Sequence, residues 1–321
     1  MKQGDFTKLA KHYHNRPAYS ALIIEMLLRC INDKGLPREK LRIAEVGAGT
    51  GKFTKILAGD FGLKVTAVEP NDAMREEGKK YTQGLPIEWR VGSGEATGLE
   101  SSAYDWLIMA ASFHWTDYKK SLPEFARVLD SGESSHVCDN EREREREREN
   151  SVNSHLDAQN AKHPQNLDSK HSKNSNISQN LSPHSLHLQN LTRKNSYFTA
   201  IYNSRHIAEG SLFDEIEKEI KSIAPQIERV SSAIQNVKKW DEILVSTGDF
   251  TDCFFMECDY TEVMSKDRYM GAWHSVNDIQ AQAGEAKWQQ ILEMIESKIS
   301  HLGDNIIMPY KIRAWTARKK V

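Results

Sequence analysis

The sequence predicts an α/β fold, with a mostly parallel sheet between helices, from the way its apolar residues are spaced. Short apolar runs alternate with segments whose apolar residues recur at helical spacing. The runs are nearly continuous and rich in Val, Ile and Ala, which is the pattern of strands buried on both faces. The first run leads directly into a glycine-rich loop. Strands alternating with helices are typical of βαβ units, so most strands are expected to lie parallel.

The first 130 residues predict four strands and the helices that connect them. A helix at Tyr19–Ile31 is expected to pack on the edge of the sheet. The strands are expected at Leu41–Val46, Val65–Val68, Pro86–Val91 and Tyr104–Ala110. The connecting helices are expected at Lys52–Asp60, Asn71–Tyr81 and Tyr118–Leu129, with Asn71 as an N-cap.

The C-terminal part of the chain resumes the same pattern and brings the expected number of strands to seven. The three later strands are expected at Tyr197–Tyr202, Phe254–Tyr260 and Ile306–Thr316. Two amphipathic helices are expected at Phe213–Ile223 and Lys287–Ile299.

A change in composition separates these two parts. No Phe, Tyr or Trp occurs from Ser131 to Ser196, and Glu141 to Glu149 alternate strictly between Glu and Arg. Such a segment has too little apolar surface to offset the entropy of ordering it. We therefore expect a disordered low-complexity insertion at 133–195, inside one domain formed by 1–132 and 196–321.

The insertion joins a helix to the strand that follows it, so it is expected at the amino edge of the sheet. Ligands of such sheets bind at the carboxyl edge. The insertion is therefore expected to be dispensable for chemistry. It contains six of the twelve histidines, but their spacing is irregular and no acidic or cysteine partner recurs at ligand distance, so no metal site is expected.

The overall charge and the cysteines limit the classes of function. The 43 basic and 45 acidic residues nearly cancel, which gives no drive toward nucleic acid or an anionic membrane. No run of about 18 apolar residues predicts a membrane span. The start of the chain lacks a signal pattern, and the four cysteines form no CxxC pair, so a cytoplasmic location is expected.

The glycine loop after the first strand carries the strongest chemical signal. It reads Glu45-Val46-Gly47-Ala48-Gly49-Thr50-Gly51. A dinucleotide loop would need glycine where Lys52 stands, and a P-loop would need Ser or Thr where Phe53 stands. A purely structural turn remains an alternative. The GxGxG pattern preceded by an acid resembles motif I of the class I S-adenosylmethionine-dependent methyltransferases.

A carboxylate at the end of the second strand supports that resemblance. Glu69 follows Val65–Val68 and lies 18 positions after Gly51. At the carboxyl edge of the neighbouring strand it can accept hydrogen bonds from both hydroxyls of a ribose. An ordinary exposed glutamate is the alternative interpretation.

Two later loops extend the resemblance. The loop from Gly92 to Leu99 follows strand three, and in the family this loop reads the adenine, although many members carry Asp where Ser93 stands here. The loop from Ala110 to Trp115 lies where the methyl group would meet its acceptor. The EATGL run, the Phe-His-Trp sequence and the chain's opening residues look like the type-11 group that includes trans-aconitate methyltransferase-like enzymes. The cofactor contacts that the resemblance implies are Glu45, Gly47, Ala48, Gly49, Thr50, Gly51, Glu69, Met74, Ser93, Gly94, Glu95 and Ala110.

The resemblance implies methyl transfer from S-adenosylmethionine to a small molecule, with a carboxylate as one candidate acceptor. His114 is the candidate base or acceptor-positioning residue, and a packed histidine is the alternative. Phe113 and Trp115 are expected in the pocket wall. Arg16 and Arg205 are candidates for pairing with a carboxylate, although either could be structural.

Two other classes of function stay open at this point. One is a protein that binds S-adenosylmethionine without turnover. The other is a nucleic-acid methyltransferase, which would need a basic stripe that Lys319-Lys320 alone does not supply. Neither alternative changes the expected fold.

Overall fold

The sheet has seven strands in the order β3-β2-β1-β4-β5-β7-β6. The computed structural model describes residues 5–33, 35–131, 195–228 and 239–321, and the insertion expected at 133–195 lies outside them except for Asn195. The strands are β1 Ile43–Val46, β2 Val65–Val68, β3 Ile87–Arg90, β4 Trp106–Ala110, β5 Tyr197–Arg205, β6 Phe250–Ser265 and β7 Asn305–Lys319.

The first five strands are parallel, and β7 runs antiparallel between β5 and β6. The predicted mostly parallel seven-stranded α/β fold is therefore confirmed, and the sheet is mixed because β7 runs antiparallel to both of its neighbours. Parallel register places Val46 opposite Val68 and Ala110 opposite Ile201. The carboxyl ends of β1, β2, β4 and β5 consequently meet at one edge of the sheet.

The antiparallel strands β6 and β7 are longer than the sequence pattern predicted. Exposed or half-buried positions alternate with more deeply buried ones along both strands, so an apolar-run criterion detects only their middle sections. Ion pairs across the two strands hold the polar side: Arg313 Nε lies 2.6 Å from Glu257 Oε2, and Lys311 Nζ lies 2.8 Å from Asp259 Oδ1.

Helices cover both faces of the sheet. They are α1 Ala21–Ile31, α2 Lys52–Lys55, α3 Asp72–Tyr81, α4 Tyr118–Val128, α5 Leu212–Ile223, α6 Trp240–Val245, α7 Lys266–His274, α8 Asn277–Ala283 and α9 Glu285–Ile299. Helix α2 continues as a π-helical turn at Ile56–Asp60. The Asn71 side chain accepts a hydrogen bond from the Met74 N–H, as expected of an N-cap.

Helix α1 packs on a face of the sheet, and its predicted position at the sheet's edge is wrong. Its Ile24 and Leu27 are fully buried in one cluster with Ile43, Ile108 and Ile201 from three strands. The apolar stripe of α1 faces inward at helical spacing, so the broad face of the sheet is the surface that buries it. The opposite face is covered by α4 and α6.

A third apolar cluster joins the C-terminal helices α5, α7, α8 and α9 to the ends of β6 and β7. Ile216, Tyr269 and Ile291 pack there against Met308 and Tyr310. This group of helices forms a cap beside the carboxyl ends of the strands. The sequence signalled only two of its helices, since α7 and α8 are short.

The ends of the two segments that flank residues 132–194 meet at the amino edge. The Asp130 N–H donates to the Tyr104 carbonyl at 2.8 Å, and Ser196 Oγ donates to the Asp130 carbonyl at 2.7 Å. Tyr104 precedes β4 and Ser196 precedes β5, so these contacts lie at the starts of parallel strands. The glycine loop lies at their other ends.

Candidate cofactor and acceptor site

The glycine loop after β1 has left-handed backbone at Gly47, Gly49 and Gly51, with φ of 71°, 59° and 73°. Glycine adopts this conformation without the strain that a Cβ causes. The N–H of Gly47 and that of Ala48 donate to the Val68 carbonyl at 2.8 and 3.0 Å. The loop is therefore held against the end of β2.

Glu69 is linked to this loop by its carboxylate. Its Oε2 accepts the Gly49 N–H at 2.8 Å, and its Oε1 accepts the Asn71 N–H at 2.9 Å. Burial raises the pKa of Glu69, while these two hydrogen bonds oppose that shift. A carboxylate has about four acceptor positions. The two that these backbone bonds do not use suit a pair of neighbouring hydroxyls in the cleft that Glu69 lines.

Glu45 lies beneath the loop with 1% of its surface exposed. Burial raises its pKa to about 8, the Thr54 hydroxyl hydrogen bond opposes the rise, and the charge of Glu69 adds to it. Glu45 also lines the cleft. A cationic group bound nearby would favour its ionised form.

Thr50 offers the loop's clearest mark of a ligand site. Its side chain is 3% exposed and lines the cleft, and its Oγ1 has no hydrogen-bond partner among the described residues. Buried hydroxyls in proteins are normally hydrogen-bonded. The residues present thus fit a polar ligand at the glycine loop.

The predicted cofactor residues after the glycine loop line the same cleft, whereas Gly51 of the loop is not among the lining residues. Met74 is 3% exposed, and a Cβ added to Gly49 would lie 3.3 Å from its Cε, so Met74 packs closely under the loop. The Ser93 hydroxyl donates to Glu95 at 3.0 Å, and Glu95 accepts the Asp117 N–H at 2.8 Å. Each of these side chains is thereby held in place inside the loop. Gly94 and Ala110 line the cleft beside them.

The predicted acceptor side begins where β4 ends. Ala111 has φ of 49°, a strained value for a residue with a side chain, and its N–H donates to the Ile201 carbonyl at 2.8 Å. The turn Phe113–Trp115 follows. His114 and Trp115 line the cleft with ring centres 4.9 Å apart.

The predicted position of Phe113 in the pocket wall is wrong. Its side chain is 1% exposed and packs against Phe125, Phe198 and Trp240 below the sheet. Successive side chains of this 3₁₀ turn point about a third of a rotation apart, so His114 and Trp115 face the cleft while Phe113 enters the core. Burial of that ring anchors the turn that carries His114.

Arg16 and Arg205 both line the cleft, but each guanidinium already has partners. Arg16 donates from Nε to Ser275 Oγ and from Nη2 to the Ser275 carbonyl, both at 2.8 Å. Arg205 Nη2 lies 2.6 Å from Glu217 Oε1. The contacts with Ser275 tie the N-terminal segment to the end of α7. The carboxylate of Glu217 balances the positive charge of Arg205.

The N-terminal segment contributes to the cleft in a way that the sequence did not indicate. Asn71 Nδ2 donates to Thr7 Oγ1, and Lys52 Nζ donates to the His14 carbonyl, which ties this segment to the cofactor side. The Ala18 N–H donates to Glu262 on β6 at 2.9 Å. The segment therefore bridges the cofactor side and the cap.

Tyr202 also lines the cleft, although the sequence did not indicate it. It is 3% exposed, stacks on Trp240 and lies 5.8 Å from the His114 ring. Burial raises its pKa well above the ordinary value, so its hydroxyl stays protonated. The pairing of β5 with β4 was the available signal, because the residue after Ile201 must lie beside the end of β4.

The cleft has a volume of about 1220 Å³. A pocket for one ligand typically has a volume of about 300–1,000 Å³. The cleft is therefore large enough for a cofactor and a second small molecule. Within the part of the chain that the structure describes, no helix is long and apolar enough to cross a membrane.

Comparisons with known proteins agree with this geometry. Residues 44–134 match the family model of a methyltransferase domain. An uncharacterised methyltransferase of Mycobacterium tuberculosis is 34% identical over 118 residues, which are 36% of this chain and 44% of that protein. A methyltransferase-like protein of Schizosaccharomyces pombe is 32% identical over 123 residues, which are 38% of this chain and 46% of that protein. The chain thus spans less than half the length of the curated relatives that it matches.

The similarity of the fold extends over more of the chain than the sequence matches do. A type II methyltransferase structure from Anaeromyxobacter dehalogenans, described as putative, superposes with a TM-score of 0.52 at 15% identity, over 94% of this chain and 97% of that one. At this identity the likeness shows the fold alone. Residues 44–134 thus resemble a methyltransferase domain, and the chain has a class I methyltransferase fold.

Proposed function

We propose that this protein transfers a methyl group from S-adenosylmethionine to a small-molecule acceptor. The observation that carries the proposal is the joint cradle of Gly49 and Glu69 beside the buried hydroxyl of Thr50. This cradle opens into a cleft with room for a second ligand. The matched domain covers the cradle and the turn that carries His114.

Different residues of the cradle would bind different parts of the cofactor. Glu69 would bind the ribose hydroxyls, and the Thr50 hydroxyl would bind the methionyl end at the glycine loop. Met74 and the loop at Ser93, Gly94 and Glu95 would enclose the adenine. Glu45 would ionise when the cation-bearing end of the cofactor binds near it, and would then supply a negative charge beneath the loop.

S-adenosylmethionine supplies an electrophilic methyl group, whose bond to sulfur breaks as the acceptor's lone pair bonds to carbon, leaving S-adenosylhomocysteine. The protein's part is to hold the acceptor in line and to exclude water. His114 lies on the turn after β4 and is the residue that we assign to receiving the acceptor's proton or orienting its lone pair. Tyr202 supports that turn from β5.

A carboxylate acceptor, suggested by the resemblance, receives little support from the contacts of the two arginines. Arg16 is held by Ser275, and Arg205 is held by Glu217. We therefore keep the small-molecule acceptor in the proposal and do not assign it a carboxylate. The trans-aconitate-like subtype stays a prediction from the sequence motifs.

The charge of the cleft argues against a nucleic-acid acceptor. Seven acidic residues line it, namely Asp5, Glu45, Glu69, Glu95, Asp214, Glu217 and Asp278, against the three basic residues Arg16, Lys52 and Arg205. A phosphate backbone needs the opposite balance. A cytoplasmic location stays a prediction from the cysteine usage.

A labelled-methyl experiment tests the proposal. The purified protein is incubated with a small-molecule extract of its source cells and tritiated S-adenosylmethionine, and labelled products are resolved by mass spectrometry. We expect label in at least one small molecule, and none when Glu69→Ala replaces the wild-type protein. Cofactor binding without transfer to any component would favour the alternative of a binding protein.

A further inference from the structure

The acceptor end of the cleft is built around one ion pair. Arg205 ends β5 and Glu217 lies on α5, with Arg205 Nη2 2.6 Å from Glu217 Oε1. About a quarter of each side chain is exposed, and both line the cleft. The Arg205 guanidinium also lies over the Trp273 ring, 4.8 Å from its centre.

The surroundings of this pair are aromatic. Tyr269 and Tyr310 line the cleft beside it and are largely buried. Burial acts to lower the pKa of Arg205, but the charge of Glu217 and the neighbouring tyrosines outweigh it and raise that pKa. Arg205 is therefore a permanent cation whose counterion is Glu217.

An acceptor that entered this end of the cleft would meet a matched pair of charges. A second carboxylate on Arg205 would lie within a few ångströms of Glu217, and a repulsion of about 1–4 kcal/mol would offset its attraction to Arg205, leaving the cost of its desolvation uncompensated. An ammonium group would meet the same repulsion from Arg205. An uncharged amide, hydroxyl or aromatic group meets neither penalty and can accept hydrogen bonds from the guanidinium.

The nearest other acid on α5 does not change this balance. Asp214 lines the cleft, but its Oδ2 lies 2.7 Å from Lys218 Nζ and accepts the Gly210 N–H. Its charge is thus matched within its own helix. Arg205 and Glu217 form an ion pair of which both members line the cleft.

We propose that Glu217, by neutralising Arg205, makes the acceptor end of the cleft select a group that is uncharged and excludes carboxylates. This inference rests on the proposed function, since it assigns this end of the cleft to the methyl acceptor. Glu217 is then a determinant of specificity rather than a residue that touches the transferred methyl group.

Helix α5 offers a matched control. Glu219 lies on the same helix and also forms an ion pair, with Oε2 3.0 Å from Lys298 Nζ, but it does not line the cleft. Glu217→Gln and Glu219→Gln therefore remove the same charge from the same helix, and only the first changes the cleft.

The experiment uses three probes with one skeleton and different charges: phenylacetate, phenylacetamide and phenethylamine. Their affinities for the full-length protein are measured by titration calorimetry with saturating S-adenosylhomocysteine. We expect wild-type protein and Glu219→Gln to bind phenylacetamide about tenfold or more tightly than phenylacetate. We expect Glu217→Gln to bind phenylacetate about tenfold more tightly than wild type does, and Arg205→Gln to favour phenethylamine instead.

Equal affinity of wild type for the acid and the amide would overturn the proposal, as would a Glu217→Gln variant with no gain for phenylacetate. Absence of binding by all three probes counts against it too. If Glu217→Gln fails to fold, Arg205→Gln tests the same pair from the other side. The proposed function is tested separately, by titrating S-adenosylhomocysteine without any probe, and an absence of binding there would count against it.

Discussion

The Gly49 N–H donates to Glu69 Oε2 at 2.8 Å, which joins the glycine loop after β1 to the carboxylate after β2. The two motifs are 20 residues apart in the chain but adjacent in space, because β1 and β2 are parallel neighbours with Val46 opposite Val68. A ligand bound by the loop therefore also reaches Glu69. Loss of either motif should affect the same binding event.

Glu69→Ala tests this coupling at the carboxylate. The variant removes both backbone hydrogen bonds and the two acceptor positions that face the cleft, and each bond to a charged acceptor contributes about 1.5–3 kcal/mol. We expect the affinity for S-adenosylhomocysteine to fall about 100-fold or more, measured by titration calorimetry. Glu88→Ala, at an exposed glutamate of β3 paired with Arg90, is the control and should bind normally. Full affinity in Glu69→Ala would contradict the cofactor assignment.

Gly47→Ala tests the closeness of the glycine loop to the turn after β4. A Cβ there would lie 2.7 Å from Ser112 Oγ, and the residue would also hold a φ of 71°. Gly62→Ala meets the same backbone penalty at φ 68° with nothing within 4 Å. We expect Gly62→Ala to cost about 1–2 kcal/mol of unfolding free energy. Gly47→Ala should cost more and should also weaken cofactor binding, and equal effects of the two variants would refute the close-approach argument.

The sequence predicted residues that line the cleft beside the glycine loop, because these residues follow consecutive parallel strands. Glycines at the end of β1 and an acid at the end of β2 must lie at one edge once the strands are parallel. The acceptor half depends on contacts distant in the chain. Arg16 meets Ser275, and Arg205 meets Glu217 on a helix whose docking no local pattern encodes.

Phe113 shows that the direction of a single side chain can also depend on contacts distant in the chain. The Phe-His-Trp run identified the loop correctly, but the direction of each side chain depends on the turn Phe113–Trp115. The core beneath the turn includes Trp240, which belongs to a helix more than 100 residues later. Neither composition nor spacing carries that information.

Glu45→Gln tests the buried acid by its effect on stability. Burial raises the pKa of Glu45 to about 8 from its ordinary 4.5, so the native state retains a proton that the unfolded state loses between these values. The free energy of unfolding must then fall as the pH rises from 4.5 to 8, by about 1.4 kcal/mol for each pKa unit of the shift at most. The Gln variant can still accept the Thr54 hydrogen bond. We expect Glu45→Gln to lose this fall in the free energy of unfolding, measured by urea denaturation at pH 5 and pH 8. A fall as large as that of the wild-type protein would contradict the raised pKa of Glu45.

His114→Gln separates catalysis from cofactor binding. His114 lines the cleft on the turn after β4, and the cradle at Gly49 and Glu69 does not include its side chain. If His114 takes the acceptor's proton, kcat should fall about 100-fold or more, because general bases contribute about 10²–10⁴-fold. The affinity for S-adenosylhomocysteine should stay close to that of wild type. His301→Gln, at an exposed histidine remote from the cleft, is the control, and an unchanged kcat in His114→Gln would remove the histidine from the mechanism.

Replacing residues 132–194 by a short Gly/Ser linker tests whether the insertion is dispensable. Ser196 Oγ donates to the Asp130 carbonyl at 2.7 Å, and Lys319 Nζ donates to the Leu129 carbonyl at 2.8 Å, so the junction is held closed by residues that remain. The chain therefore leaves and re-enters the domain at nearly one point. A short linker can span such a gap with little strain, and a shorter loop costs less entropy to close.

We expect the shortened protein to bind S-adenosylhomocysteine with the affinity of the full chain and to unfold at the same or a slightly higher temperature, measured by calorimetry. The junction lies at the amino edge, before β4 and β5, whereas the cradle of Gly49 and Glu69 lies at the carboxyl edge. The cradle as we assign it, with Gly49, Glu69 and Thr50, lies wholly in the part of the chain that the shortened protein keeps. Ser196→Ala in the full chain is the companion variant, since it loosens the junction and leaves the insertion in place. Lost cofactor binding in the shortened protein, with Ser196→Ala still binding normally, would show that the insertion itself takes part in the site.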